Sequence, residues 1–277
     1  MPLDIIKEEL DFDVVFEPTK FKEKKYVINS KTGEYIGVVG NTFNCASHPA
    51  FFQRVHDTIT ENLGEMDTEN MNIDYRTARN NAWALMDVSL PEVTAKIQTD
   101  RHETTVSQRI IALHGVDGSC SNQVYFGAID FFCTNGLIRG EYDKIRRKNS
   151  SNFCLDRFIK ELKESKNDFY NQVEALQHWA SINTTFVNIK DLLERVIKSE
   201  RKAEKMYSLY NQETSVRGRN VFALYSAFTN YSTYADERNG FNLRNTGKDT
   251  EAQNMWTREQ EVSKWISTRE FRQLVAA

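Results

Sequence analysis

The spacing of apolar residues along this chain changes near residue 152, from a period of two to a period of about 3.6. Before that point, residues 83–90 alternate between apolar and polar, and residues 124–133 are apolar almost throughout. After it, apolar residues recur every three or four positions over 155–180. Alternation is typical of strands, and the longer period is typical of helices. The sequence therefore predicts an α+β fold, in which a mostly antiparallel N-terminal β-sheet with one short helix precedes a helical C-terminal half with a long amphipathic helix.

Turn residues and caps divide the two halves into elements. The predicted strands cover 24–29, 34–40, 72–78, 82–90, 105–113 and 122–134, and the last pair is joined through a turn at 115–119. Pro91 lacks an N–H and is expected to end its strand, with a loop or irregular edge over 92–104. One predicted helix begins near Ser47. The others cover 155–180, 189–197, 221–234 and 251–274.

The chain reads as one domain with three parts. An N-terminal arm over 1–23 precedes a β-rich core over 24–149 and a helical region over 150–277 that packs on the same core. The four cysteines lack metal or disulfide spacing, and neither a signal peptide nor a long apolar span is visible. We therefore expect an intracellular protein, in the cytoplasm of whatever cell hosts the gene, with no membrane partner and no disulfides.

Charge is distributed unevenly along the chain. Residues 1–138 carry 12 Lys and Arg against 20 Asp and Glu, a net of −8, whereas residues 139–219 carry 17 against 12, a net of +5. A basic middle segment is compatible with a face that binds a polyanion. It is equally compatible with two oppositely charged halves that attract each other across an oligomer interface.

The segment 139–149 is the densest basic run and follows the predicted core strand. Lys and Arg neutralise phosphates, and a tyrosine in the run could stack on a base. A second short basic turn, 217–219, has a glycine that would allow close approach to a phosphate. The predicted nucleic-acid-binding residues are Arg139, Tyr142, Lys144, Arg146, Arg147, Lys148, Arg217 and Arg219. The alternative is that both segments are charged loops that contact only solvent. We also expect the mixed-charge helix face over 194–205 to be solvated.

Evidence for bond-making chemistry is weak in this sequence. His114 and Asp117 could act as base and orienting acid, with Cys120 or Cys133 as nucleophile. The alternatives are a histidine at a strand end that bonds the turn, and a small cysteine in the core. The histidines show no ligand spacing, and no nucleotide-binding fingerprint is present, so we expect neither a metal nor a cofactor.

Three groups of residues carry a family resemblance. They are Ile36-Gly-Val-Val-Gly-Asn-Thr-Phe43 followed by Phe51 and Phe52, then Asp117-Gly118-Ser119 with Cys133-Thr-Asn-Gly-Leu137, and finally Ser226-Ala-Phe-Thr-Asn-Tyr231. In this order the groups resemble a phage- and plasmid-borne family known as domain of unknown function 932, except that Ser226 stands where the family pattern has Asn. More remotely, a sheet followed by a long helix is similar to the single-strand annealing proteins of the Rad52 type.

The resemblance implies a non-catalytic role in DNA recombination or replication. The expected function is single-stranded DNA binding and annealing by a phage- or plasmid-encoded homo-oligomer, with phage or host replication and recombination proteins as further partners. The first alternative is a structural or host-interaction phage protein without nucleic-acid activity. The second is a hydrolase or nuclease built on His114 and Asp117.

Overall fold

The described part of the chain forms two antiparallel sheets and a group of helices. The computed structural model describes residues 6–63, 70–130, 136–137, 144–149, 154–164, 169–234 and 248–276. Strands dominate before residue 150 and helices after it. The predicted α+β class is confirmed.

The smaller sheet has three strands in the order β1-β2-β3. These are β1 (Val14–Pro18), β2 (Lys24–Asn29) and β3 (Tyr35–Gly40). The predicted hairpin of β2 and β3 is confirmed, and Gly33 in its turn has a φ of +72°. Strand β1 lies within the segment predicted as an N-terminal arm, but it pairs along its length with β2. That part of the arm therefore belongs to the small sheet.

Six described strands form the larger sheet. They are β4 (Asn72–Ala78), β5 (Trp83–Gln98), β6 (Glu103–Gly115), β7 (Asn122–Asp130), β8 (Gly136–Leu137) and β9 (Lys144–Arg147). Strands β4 to β7 lie side by side in sequence order, and both β8 and β9 pair with the outer edge of β7. The predicted pairing of the strands over 105–113 and 122–134 is confirmed by β6 and β7.

Strand β5 does not end at Pro91, contrary to the prediction of a stop and a loop over 92–104. The strand continues to Gln98, and β6 already begins at Glu103. The register against β6 shifts between Leu90 and Thr94. Because the residues between them bulge out of the ladder, the missing N–H of Pro91 costs no inter-strand hydrogen bond.

Eight α-helices are described. They are α1 (His48–Leu63), α2 (Leu155–Glu164), α3 (Phe169–Ser181), α4 (Ile189–Ile197), α5 (Glu200–Arg217), α6 (Val221–Tyr234), α7 (Glu251–Ile266) and α8 (Arg269–Val275). The segment predicted as one long helix over 155–180 is described as α2 and α3, and residues 165–168 lie outside the described residues.

Helices cover both faces of the larger sheet. One face of β5 carries Ala84, Met86 and Val88, which share a core with residues of α1, α2 and α3. The opposite face packs against α7, where Leu85 shares a second core with Met255. Such double coverage explains why the central strands are apolar on both faces.

The turn after β6 packs against the smaller sheet. The carboxylate of Asp117 accepts hydrogen bonds from Nε of Arg79 (2.9 Å) and from the Ser119 hydroxyl (2.6 Å). Gly118 has a φ of +77°, and a Cβ built on it would lie 3.2 Å from Val39 and 3.3 Å from Phe43. The Asp-Gly-Ser group that carries part of the family resemblance is therefore a docking turn against the small sheet.

We expect Gly118→Ala to lower the free energy of unfolding by about 2 kcal/mol, because left-handed backbone and crowding against the small sheet both act against a side chain. Urea denaturation followed by tryptophan fluorescence measures the loss. The matched control is Gly33→Ala, since Gly33 has a φ of +72° with no atom within 4 Å of a Cβ. If both variants lose the same stability, the contact with Val39 and Phe43 contributes nothing.

Candidate nucleic-acid interface

The end of the predicted basic run lies on an exposed edge strand. Strand β9 pairs with β7 so that Arg146 faces Gln123 and Arg147 faces Asn122. The side chains of Arg146, Arg147 and Lys148 are all exposed. Successive residues of a strand point to opposite faces, so the two arginines spread positive charge to both sides of this edge.

Gln123 and Asn122, the residues of β7 that pair with the two arginines, are neutral. The Asn122 amide donates to Oδ1 of Asn149 (2.7 Å), and the Asn149 amide donates to the carbonyl of Gly115 (2.5 Å). These two bonds fix the chain directly after Lys148. Within the described residues, neither Arg146 nor Lys148 has a carboxylate within ion-pair distance, while Nη1 of Arg147 donates to the carbonyl of Arg146 (2.8 Å). At least two of the predicted phosphate contacts are therefore available to solvent.

The remaining predicted residues are in different situations. Arg139 and Tyr142 lie outside the described residues. Lys144 is the first residue of β9. Arg219 is exposed directly after the turn that ends α5. The structure therefore brings Lys144, Arg146, Arg147 and Lys148 together on one edge and places Arg219 on a separate turn.

Arg217 does not belong to the interface, and this part of the prediction is corrected. Its side chain is fully buried, and Nε lies 3.2 Å from Oε2 of Glu213 and 3.2 Å from the hydroxyl of Ser226. Helix α5 continues through Arg217 and turns it inward, so it cannot reach a phosphate at the surface. Ser226, where the family pattern has Asn, thus accepts a hydrogen bond from this buried guanidinium.

One cation that the sequence did not suggest lies beside Arg219. Residue Arg101, in the turn between β5 and β6, is exposed, and its Cγ is 3.7 Å from where a Cβ of Gly218 would be. The sequence assigned 92–104 to a loop without a role. No local pattern could have paired two turns so far apart along the chain, because the contact depends on how the sheet packs against the helices.

The residues considered for hydrolysis do not form a hydrogen-bonded chain. Nδ1 of the buried His114 lies 2.8 Å from Nδ1 of His48, whereas the Asp117 carboxylate binds Arg79 and Ser119. Burial raises the pKa of the Cys120 thiol well above its ordinary value, so the nucleophilic thiolate is disfavoured at neutral pH. Cys133 lies outside the described residues. The described geometry gives no support to a nucleophilic mechanism.

Two further observations concern the described part of the chain. It contains no group of three or more His, Cys, Asp or Glu side chains that could hold a metal ion. None of its helices combines the length and the apolar character needed to cross a bilayer.

Comparison with known proteins identifies a family but no individual relative. No curated protein matches the sequence, and no solved structure matches it. A family match covers residues 36–273, from β3 to α8, and includes the Asp117-Gly118-Ser119 docking turn. The chain belongs to the family described as Domain of unknown function (DUF932).

Proposed function

We propose that this protein binds and anneals single-stranded DNA during recombination or replication of a phage or plasmid, without catalysing a reaction. The observation that carries the proposal is the exposure of Arg146 on the edge strand β9 and of Lys148 directly after it, with no described carboxylate to neutralise them. Free surface cations of this kind gain affinity for phosphates by releasing condensed counterions.

Annealing requires no covalent bond to be made or broken. It requires many weak contacts to the sugar-phosphate backbone, repeated along an oligomer, so that base edges stay free to pair. Strand β4 at one end of the large sheet and β9 at the other would allow protomers to assemble side by side. An antiparallel sheet followed by helices is also similar to the Rad52-type annealing proteins, which is support at the level of fold alone. Other phage or host replication and recombination proteins are proposed as further partners.

We expect Arg146→Ala/Lys148→Ala to weaken binding of single-stranded DNA by about tenfold at low salt and to reduce the slope of log K against log salt by about 1.4, since each phosphate contact on a single strand contributes about 0.7. Fluorescence anisotropy with a labelled oligonucleotide of about 30 nucleotides, titrated at several salt concentrations, measures both quantities.

The control variant for charge is Lys22→Ala/Lys24→Ala, which removes two exposed lysines from the small sheet. We expect this variant to keep the slope of the wild type. A wild-type protein that fails to bind single-stranded DNA, or binds it without a salt slope, would refute the proposed function. A strand-annealing assay with complementary labelled oligonucleotides then distinguishes annealing from binding alone.

A structural or host-interaction role is the second candidate, and one observation favours it. The small sheet exposes Val15 (43%), Tyr35 (63%) and Val38 (53%). Cross-strand pairing through β2 places these side chains on one face of the sheet. Exposed apolar residues that cluster in this way often mark a protein contact. Native mass spectrometry without nucleic acid would support this role if a Val38→Asp variant lost a defined oligomer.

A further inference from the structure

A fully exposed aromatic side chain lies in a loop that is hydrogen-bonded to the backbone of Arg219. Phe186, in the loop between α3 and α4, has a relative exposure of 100%. Most of the described phenylalanines are instead buried in the cores. A phenyl ring entirely in water gains nothing from folding, so the position has no explanation in the packing of this protomer.

The loop that carries Phe186 is firmly anchored. The N–H of Thr184 donates to the carbonyl of Arg219 (3.0 Å), and the N–H of Val187 donates to the carbonyl of Thr184 (3.1 Å). The buried hydroxyl of Thr184 also shares a hydrogen bond of 2.7 Å with the Tyr210 hydroxyl. The exposed ring is thus presented from a fixed turn, directly beside the backbone of Arg219.

The cations of this region are Arg101 and Arg219. Both side chains are exposed, and within the described residues neither has an ion-pair partner. Asp100, next to Arg101, is exposed as well and reduces the local positive charge only in part. Two guanidinium groups, which suit phosphate oxygens in shape and charge, therefore lie on neighbouring turns, with the Arg101 side chain beside Gly218.

Backbone geometry places the ring within reach of these groups. Thr184 is hydrogen-bonded to Arg219, and Phe186 is two residues further along the chain. The Cα atoms of Phe186 and Arg219 are therefore at most about 13 Å apart. At this separation both side chains can contact the same short stretch of a single strand.

We propose that Phe186, Arg101 and Arg219 form a second single-stranded DNA contact, called here the aromatic patch. The ring stacks on one base, and the two guanidinium groups bind the neighbouring phosphates. Stacking on an aromatic ring tolerates every base, which suits a protein that anneals strands of any sequence. This inference rests on the proposed function and adds to it the residue that holds a base.

The aromatic patch lies at the opposite end of the large sheet from β9. Strand β6 begins at Glu103, beside the Arg101 turn, and Leu113 near its other end pairs with Gln123, which also pairs with Arg146. Ten residues of strand separate the two ends by about 33 Å. A strand with stacked bases covers that distance with about ten nucleotides. The two contacts can therefore be tested one at a time.

We expect Phe186→Ala to weaken binding of an oligothymidylate of about 30 nucleotides by about tenfold, and Phe186→Trp to retain it. Binding of an abasic strand of equal length should not change, because that strand has no base to stack. Arg101→Ala/Arg219→Ala should instead weaken binding to both strands and reduce the salt slope by about 1.4. Fluorescence anisotropy titrations of the protein measure all of these values.

The control for aromatic side chains is Tyr170→Ala, since Tyr170 is 64% exposed at the start of α3. This variant should bind as the wild type does. Unchanged binding by Phe186→Ala, while Arg146→Ala/Lys148→Ala still loses affinity, would overturn the aromatic patch and leave the proposed function standing. Absence of binding by the wild type would overturn both. A change of oligomeric state in Phe186→Ala with unchanged DNA affinity would assign the ring to a protein contact and also overturn the patch.

Discussion

Replacing Arg109 with Leu should lower the free energy of unfolding by about 3–5 kcal/mol, because the substitution leaves two carboxylates unpaired inside the protein. Arg109 lies on β6, and its guanidinium binds both oxygens of Asp87 on β5 (2.8 and 2.6 Å). A third bond of 3.2 Å reaches Oε1 of Glu259 on α7. The cluster joins the helical half to the sheet, so we expect its loss to be measurable in global unfolding by urea.

The pH dependence of this loss distinguishes electrostatics from packing. Burial already raises the pKa of Glu259, while the charge of Arg109 acts to lower it. Without Arg109 the pKa of the Glu259 carboxyl should rise further in the folded state. A carboxyl whose folded pKa is raised favours the folded state at low pH, and this advantage is lost as the pH rises through the folded value. Arg109→Leu should therefore lose least stability in acid.

Glu259→Gln is the matched variant, since it removes the charge but keeps the shape and a hydrogen-bonding oxygen. We expect it to cost about 1 kcal/mol, because Arg109 keeps its two bonds to Asp87. If Arg109→Leu cost no more than Glu259→Gln at neutral pH, the buried charge cluster would contribute no net stability. Far-ultraviolet circular dichroism confirms that both variants remain folded before the comparison is made.

The elements that could be predicted from the sequence are those with local signals. The sequence predicts helix α6 over 221–234, and the structure gives the same bounds. This was possible because the helical spacing of its apolar residues can be read from one short segment of the chain. The hairpin of β2 and β3 followed from a short polar turn with a glycine. Such signals depend on neighbours in the chain, so they remain valid whatever the rest of the molecule does.

Features that depend on distant contacts could not be predicted in this way. The partners of Arg109 are 22 and 150 residues away along the chain. The continuation of β5 past Pro91 depends on a bulge that only pairing with β6 reveals. Each of these features depends on contacts between residues far apart in the chain. Such contacts offset the local preference of the sequence.

The candidate site was predictable only in part, for the same reason. The exposed cations of β9 follow a core strand in sequence, and charge density alone identified them. Arg217 has Glu213 one helical turn before it, a spacing that indicates a helical ion pair and that could have excluded it from the interface. Phe186 gave no signal, because whether a lone phenylalanine is buried cannot be read from its neighbours in the chain.

Two buried histidines, His48 at the start of α1 and His114 on β6, form a hydrogen-bonded pair. Nε2 of His48 donates to the carbonyl of Asn81 (2.9 Å), so the Nδ1 of His48 is left to accept from Nδ1 of His114 (2.8 Å). The Nε2 of His114 has no hydrogen-bond partner among the described residues, and the His114 ring stacks on Phe51 at 4.4 Å. Burial lowers the pKa of His48 to about 4 and lowers that of His114 well below its ordinary value.

Both rings are neutral in the folded protein, and acid should therefore destabilise it. Histidines in the unfolded chain bind protons below about pH 6.5, whereas the folded pair does not, so stability falls as the pH decreases towards 4. At about pH 5 each ring should cost about 2 kcal/mol relative to neutral pH, or about 4 kcal/mol together. Urea denaturation at several pH values measures this dependence. His114→Leu should remove about half of it. An equal dependence on pH in the wild type and in His114→Leu would mean that groups other than this pair control acid stability.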